Sequence, residues 1–142
     1  MLNVRSFLDH NRIYSPPKHS HKKHVCSSTG AFAYKGKWIT NSDLKQNLIE
    51  HFNEWKKTIG KFGLLILELH TINPILAAQS LGRTVATAYD GTHGYSDQYI
   101  FEVETYLSAA KEAGLIPIVK HQAFFPNDTI ATISINLFQH HD

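Results

Sequence analysis

The segment Gly63-Leu-Leu-Ile-Leu-Glu-Leu-His70 limits the fold more than any other part of the chain. From Leu64 to Leu69 every side chain except Glu68 is apolar, so an extended chain here presents apolar groups on both faces. A strand of that kind is stable only when both faces are covered, as in a parallel sheet flanked by helices. The expectation is therefore an α/β domain.

The residues after this strand carry matching punctuation. Asn73-Pro74 opens a short helix from Pro74 to Leu81, since the donor that proline lacks has no partner in a first turn. Gly82 ends it. Ser96 is placed to cap a long helix to Ala113, with Ile100, Val103, Leu107, Ala110 and Ala113 as its buried stripe. Gly114 supplies the left-handed residue that closes such a helix. Ile116 to Phe124 and Thr129 to Phe138 read as strands joined at Pro126-Asn127-Asp128, with an irregularity near Ala131-Thr132.

Ahead of the apolar strand, a helix is expected from about Asn41 to Thr58, capped by Asn41 or Ser42 and stopped at Gly60. Leu44, Leu48, Phe52, Trp55 and Ile59 share one face of it, leaving Lys45, Glu50, Glu54 and Lys57 to water. Trp38 and Trp55 are expected as core or loop-anchoring aromatics. The organisation expected is a first strand over 1–8, a long loop or lid over 9–40, an α/β core over 41–138 and a tail over 139–142.

At 142 residues and 42% hydrophobic content the chain makes one compact domain. A net charge of +2 is too mild to suggest nucleic acid. No apolar run approaches a membrane span, and no signal core follows Met1, so a soluble cytoplasmic protein is expected. Cys26 is the single cysteine and has no intrachain disulfide partner. His19, His21, His24 and Cys26 stand close in sequence, but their spacing fits no established zinc pattern; the interleaved lysines and serines read as a solvated basic loop, with no metal expected.

Two motifs then carry a family resemblance. Gly63-Leu64-Leu65-Ile66-Leu67-Glu68 is similar to strand five of the class I S-adenosylmethionine-dependent methyltransferases, and Ala109-Ala110-Lys111-Glu112-Ala113-Gly114-Leu115 resembles the helix ending before their strand six. Val4 to His10 and Thr92 to Tyr99 are similar to methyltransferase-like domains of bacterial polyketide assembly, of the apratoxin type. The resemblance implies an α/β fold equivalent to the C-terminal half of a Rossmann-like doubly wound sheet. It comprises strands four to seven, with strand seven antiparallel between five and six. It further implies S-adenosylmethionine as cofactor and a small-molecule or carrier-bound acyl substrate. Strands one to three and their glycine-rich turn have no counterpart in these residues, so cofactor-binding residues are not assigned. The chain is expected to be the substrate-side part, incomplete for catalysis alone. The alternative is a non-catalytic remnant or interaction module. The open sheet edge implies an N-terminal half or a second copy as partner.

Ligands of open α/β sheets sit beyond the carboxyl ends of the strands. His10 follows the first strand, His70 ends the apolar strand, and His93 precedes the expected long helix. Methyl transfer calls for a base and for positioning, and imidazole serves as a base near neutral pH. His70, His93 and His10 are the expected catalytic residues, and Asp97, Gln98, Tyr95 and Arg5 the expected substrate-binding ones. The competing reading is structural: His70 closes a strand end and His93 bonds its own turn. Glu68 is expected as an orienting carboxylate at the rim.

Overall fold

The computed structural model describes residues 1–19 and 25–140. In chain order the elements are β1 (Asn3–Ser6), β2 (Phe32–Tyr34), β3 (Lys37–Ile39), α1 (Asn41–Lys56), β4 (Leu64–Leu69), α2 (Pro74–Gln79), α3 (Ala86–Tyr95), α4 (Val103–Glu112), β5 (Leu115–Phe125) and β6 (Ile133–His140). None of the helices is long and apolar enough to cross a membrane, among the described residues.

Four strands form a mixed sheet in the order β1-β4-β6-β5. β1 lies parallel to β4, with Val4 opposite Leu65 and Ser6 opposite Leu67. β6 returns antiparallel between β4 and β5, with Leu65 opposite Leu137 and Leu67 opposite Ile135. An α/β sheet with an antiparallel last strand is thus what the chain forms.

Side chains alternate across each strand. Leu64, Ile66 and Phe138 point to one face, where Leu44, Leu48 and Phe52 of α1 and Tyr106, Ala109 and Ala110 of α4 cover them. The alanines let α4 lie close to the sheet, and Phe52 meets Tyr106 edge to face at 5.2 Å. The opposite face is less covered: Leu65, Leu67, Ile135 and Leu137 are half-buried and Val4 is 60% exposed.

Several expectations are corrected. The helix expected from Ser96 to Ala113 starts only at Val103, as α4: residues 96–102 are a non-helical break, and α3 lies wholly ahead of Ser96. Ser96 is the C-cap of α3, its amide donating to the carbonyls of His93 and Thr92. Asp97 follows in the left-handed region, which ends a helix. Ile100 and Phe101 are buried in the break, where the Thr71 N–H donates to the Phe101 carbonyl at 3.2 Å. The buried residues of α4 are therefore Thr105, Tyr106, Ala109 and Ala110; of the expected stripe Ile100, Ala110 and Ala113 are buried, while Val103 and Leu107 are half-buried.

The cap of α1 is Thr40, whose hydroxyl accepts from the Asp43 N–H, rather than Asn41 or Ser42. Lys45 is not solvated: it is 2% exposed, and its Nζ donates to Val25 O at 2.7 Å, Ser108 Oγ at 2.9 Å and Glu112 Oε1 at 2.5 Å. The loop over 9–40 contains the β2–β3 hairpin, turned by Lys35 and Gly36, both at positive φ. Trp38 on that hairpin is 70% exposed, so it anchors no core. β6 begins at Ile133, because Asn127 Oδ1 accepts from the Thr129 and Ile130 amides and holds that stretch in a turn.

Gly63 is the position where only glycine fits. Its φ is +84°, and a Cβ there would collide with the Phe138 carbonyl oxygen of the neighbouring strand. Gly63→Ala is expected to destabilise the fold by about 2 kcal/mol or more, since the left-handed penalty alone is ~1–2 kcal/mol. Urea unfolding would measure the loss, and an unchanged midpoint would contradict it.

Candidate functional site

β1 and β4 run parallel, so both deliver their C-terminal ends to the same rim. Asp9 and His10 leave the first strand there, and Glu68, His70 and Thr71 end the second. The sole charged residue of β4, Glu68, is 1% exposed and has to be satisfied internally. Its Oε2 accepts from the Asp9 N–H at 2.7 Å, and its Oε1 from the Leu69 N–H at 2.7 Å and from His10 Nδ1 at 2.5 Å.

A carboxylate only accepts, so the Nδ1 of His10 carries a proton, and in the neutral ring Nε2 is the acceptor. The His10 ring sits beside that of His93, with centroids 5.2 Å apart. His93 Nδ1 donates to the Tyr89 carbonyl at 2.5 Å, so in its neutral ring too Nε2 is the acceptor. His93 also lines a cleft of about 370 Å³ with Thr71, Gln98 and Glu102.

Behind the rim lies a second buried carboxylate. Asp9 Oδ1 meets Arg5 Nη2 at 2.6 Å and His51 Nε2 at 2.8 Å, and Asp9 Oδ2 accepts from the Tyr106 hydroxyl at 2.7 Å. Burial alone would raise the Asp9 pKa, but the hydrogen bond from His51 and the charge of Arg5 outweigh it and hold the group below the usual carboxylate range. Burial lowers the His51 pKa against the pull of Asp9. Burial, then the nearby Asp9 and Glu68 carboxylates, push the Tyr106 phenol well up, so it stays protonated and donates. Arg5 also lies 3.7 Å above the Trp55 ring.

The remaining expected residues fall at different places. His70 is fully buried; its Nδ1 faces the Phe101 carbonyl at 3.3 Å and its Nε2 faces Ser134 Oγ at 2.7 Å. Both ring nitrogens are occupied, and burial drives its pKa down to about 3. Arg5 is engaged by Asp9 and Trp55. Tyr95 is 96% exposed. Asp97 is half-buried, and its carbonyl accepts from the Tyr14 N–H. Gln98 lines the 370 Å³ cleft while its amide donates to Asn11. His10 and His93 come together; His70 stands apart in the core.

Sequence reasoning missed Asp9, His51 and Tyr106. The one available signal was Tyr106, a polar-tipped aromatic in an otherwise small-residue helix face. The stretch read as a solvated basic loop is only partly described: His21 and His24 lie outside the described residues, and burial raises the thiol pKa of Cys26. No group of three or more His, Cys, Asp or Glu poised to hold a metal occurs among the described residues.

The family model of the AprA MT2-like domain matches residues 1–136. The chain belongs to that methyltransferase-like family. No curated protein matches it.

The state of His70 makes this domain's stability pH-dependent. Its folded pKa lies below the unfolded value of 6.5, so the unfolded chain takes up a proton before the folded one does. The contribution is complete above pH 6.5 and is lost as pH falls toward 3, at roughly 1.4 kcal/mol per pH unit for one proton. Urea unfolding from pH 7 to pH 4 should show this slope, and His70→Gln should flatten it. An equal slope in the variant would assign the dependence to other groups.

Proposed function

We propose that this chain is the acceptor-side part of an S-adenosylmethionine-dependent methyltransferase, with His10 as the base and Glu68 as the residue that orients it. The observation that carries the reading is the 2.5 Å contact from His10 Nδ1 to Glu68 Oε1 at the sheet rim. It fixes the tautomer and leaves Nε2 to receive a proton from the methyl acceptor. Glu68 keeps its place through two backbone donors, and the negative charge it holds stabilises the imidazolium that forms. His93, lining the cleft beside His10, orients the acceptor. The strand order β1-β4-β6-β5, with β6 antiparallel, agrees with strands four, five, seven and six of the class I methyltransferases.

The cofactor, when bound, supplies the electrophilic methyl group. On this reading the described residues supply only part of its site. β1 is the edge of the parallel pair, and neither β1 nor β4 leads through a glycine-rich turn into a helix. What they supply is proton removal and acceptor placement. The cofactor-binding half would then come from another segment or chain.

Calorimetric titration of this chain with S-adenosylmethionine should give no micromolar binding. In an active full-length family member, replacing the histidine that matches His10 by alanine should lower turnover by about 10²–10⁴-fold. Unchanged turnover would remove the pair from the mechanism and favour a non-catalytic module.

The β1 edge and the half-buried face bearing Val4, Leu65 and Leu67 fit either that missing half or a second copy. Sedimentation of the chain alone should reveal self-association that Leu67→Lys reduces. A stable monomer at high concentration would argue against this.

A further inference from the structure

Glu102 is built into the structure as half of an interaction. It precedes α4 as its N-cap, yet its side chain makes no bond to the helix amides. Its Oε1 instead accepts from the Thr29 N–H at 3.1 Å and the Thr29 hydroxyl at 3.0 Å. Its Oε2 is closed off from solvent and has no hydrogen-bond partner among the described residues. Buried carboxylate oxygens are ordinarily partnered, so an orphan oxygen beside a cavity calls for a donor from elsewhere.

The cavity is there. A lobe of about 190 Å³ lies between the strand-end segment Thr71–Asn73, the start of α4 and the β5–β6 turn. It shares Thr29, Thr71, Ile72 and Glu102 with the 370 Å³ cleft that His93 lines. The two are lobes of one groove, and Glu102 stands at their junction. The carboxylates of Glu102, Glu104 and Asp128 line the smaller lobe, and no Lys or Arg among the described residues lines either one. An anionic group is disfavoured there by charge.

We propose that Glu102 is a specificity-determining residue: on binding, its carboxylate turns so that Oε2, closed off in the unliganded chain, accepts a hydrogen bond from an N–H or O–H donor on the methyl acceptor, and the groove selects neutral or cationic donor-bearing molecules over anionic ones. This rests on the reading of the groove as the acceptor side of a methyltransferase. Thr29 fixes the carboxylate from one side, and the Thr71–Phe101 backbone bond fixes the segment that carries it. A site held in this way discriminates strongly, because a ligand without the donor leaves the buried oxygen unpaired.

The test is a set of small probes followed by two-dimensional amide NMR of the full chain. N-ethylacetamide offers a neutral N–H, ethylamine a cationic one, ethyl acetate no donor, and propionate an anion. The two donor probes should shift the amides of Thr29, Thr71, Ile72 and Glu102, and their relative affinity tells whether the preferred donor is neutral or charged. Ethyl acetate and propionate should leave those signals in place. Glu102→Gln keeps an oxygen for Thr29 and puts an NH2 where the free oxygen was. It should weaken the donor probes at least tenfold and admit propionate.

Equal shifts from donor and donor-free probes, or an unaltered probe preference in Glu102→Gln, would overturn the proposal. Should that variant not fold, Leu76→Trp narrows the smaller lobe from α2, and persistence of the donor-probe shifts would be equally contrary. Binding is read without S-adenosylmethionine and without His10. Donor-selective binding with no methyl transfer in the family would therefore uphold this inference and sink the methyltransferase reading, and the reverse result would do the opposite.

Discussion

A carboxylate with no route to water sits in the middle of this domain, and the path of the chain around it follows from that fact. Glu68 belongs to a strand whose other side chains are all apolar, and it faces the helix side of the sheet. Leaving it unpaired there would cost several kcal/mol, more than a small domain can spare. Three donors meet it, and two come from the residues immediately after β1. Parallel pairing of β1 with β4 is what brings those residues within reach, so register, turn and the orientation of His10 are settled together.

Asp9 extends the same logic one layer deeper. Its backbone serves Glu68, while its side chain gathers Arg5, His51 and Tyr106 from three separate elements. The two acids thus share one residue as bridge, and the rim is tied to α1 and α4 through it. Networks of this kind specify a single arrangement because each member is costly to leave unmet. They add little net stability over apolar packing, but they define where polar groups stand to within a hydrogen bond.

Much of this architecture was legible in the sequence, for reasons that differ by element. α1 declared itself through uninterrupted periodicity, β4 through its continuous apolar run, and β6 through its alternation. The break between α3 and α4 did not, because Ile100 can be buried equally well by a helix or by an extended segment crossing a sheet end. Only the left-handed turn at Asp97 decides between them, and aspartate does not announce that conformation. The turn Tyr34-Lys35-Gly36-Lys37 did carry a hairpin signal, flanked by short aromatic segments, which the surrounding irregular loop obscured. His10 was recoverable as a rim residue, whereas its partner Glu68 lies 58 positions away and no local pattern links them. His70, conspicuous at the end of the strand, turned inward because Ser134 and the Phe101 carbonyl offered it both a donor and an acceptor.

The buried Lys45 has a reach beyond its own surroundings. It fastens the Val25 carbonyl to the seam between α1 and α4, close in sequence to Thr29, the residue that holds Glu102. One wall of the cleft beside His93 is thereby hung from the helix pair rather than from the sheet. Cleft width and strand-end rim are governed by separate supports: the rim by strand pairing, the wall by helix packing. Repacking α1 against α4 would therefore change the shape of the cleft, while the histidine and carboxylate at the strand ends stay where they are.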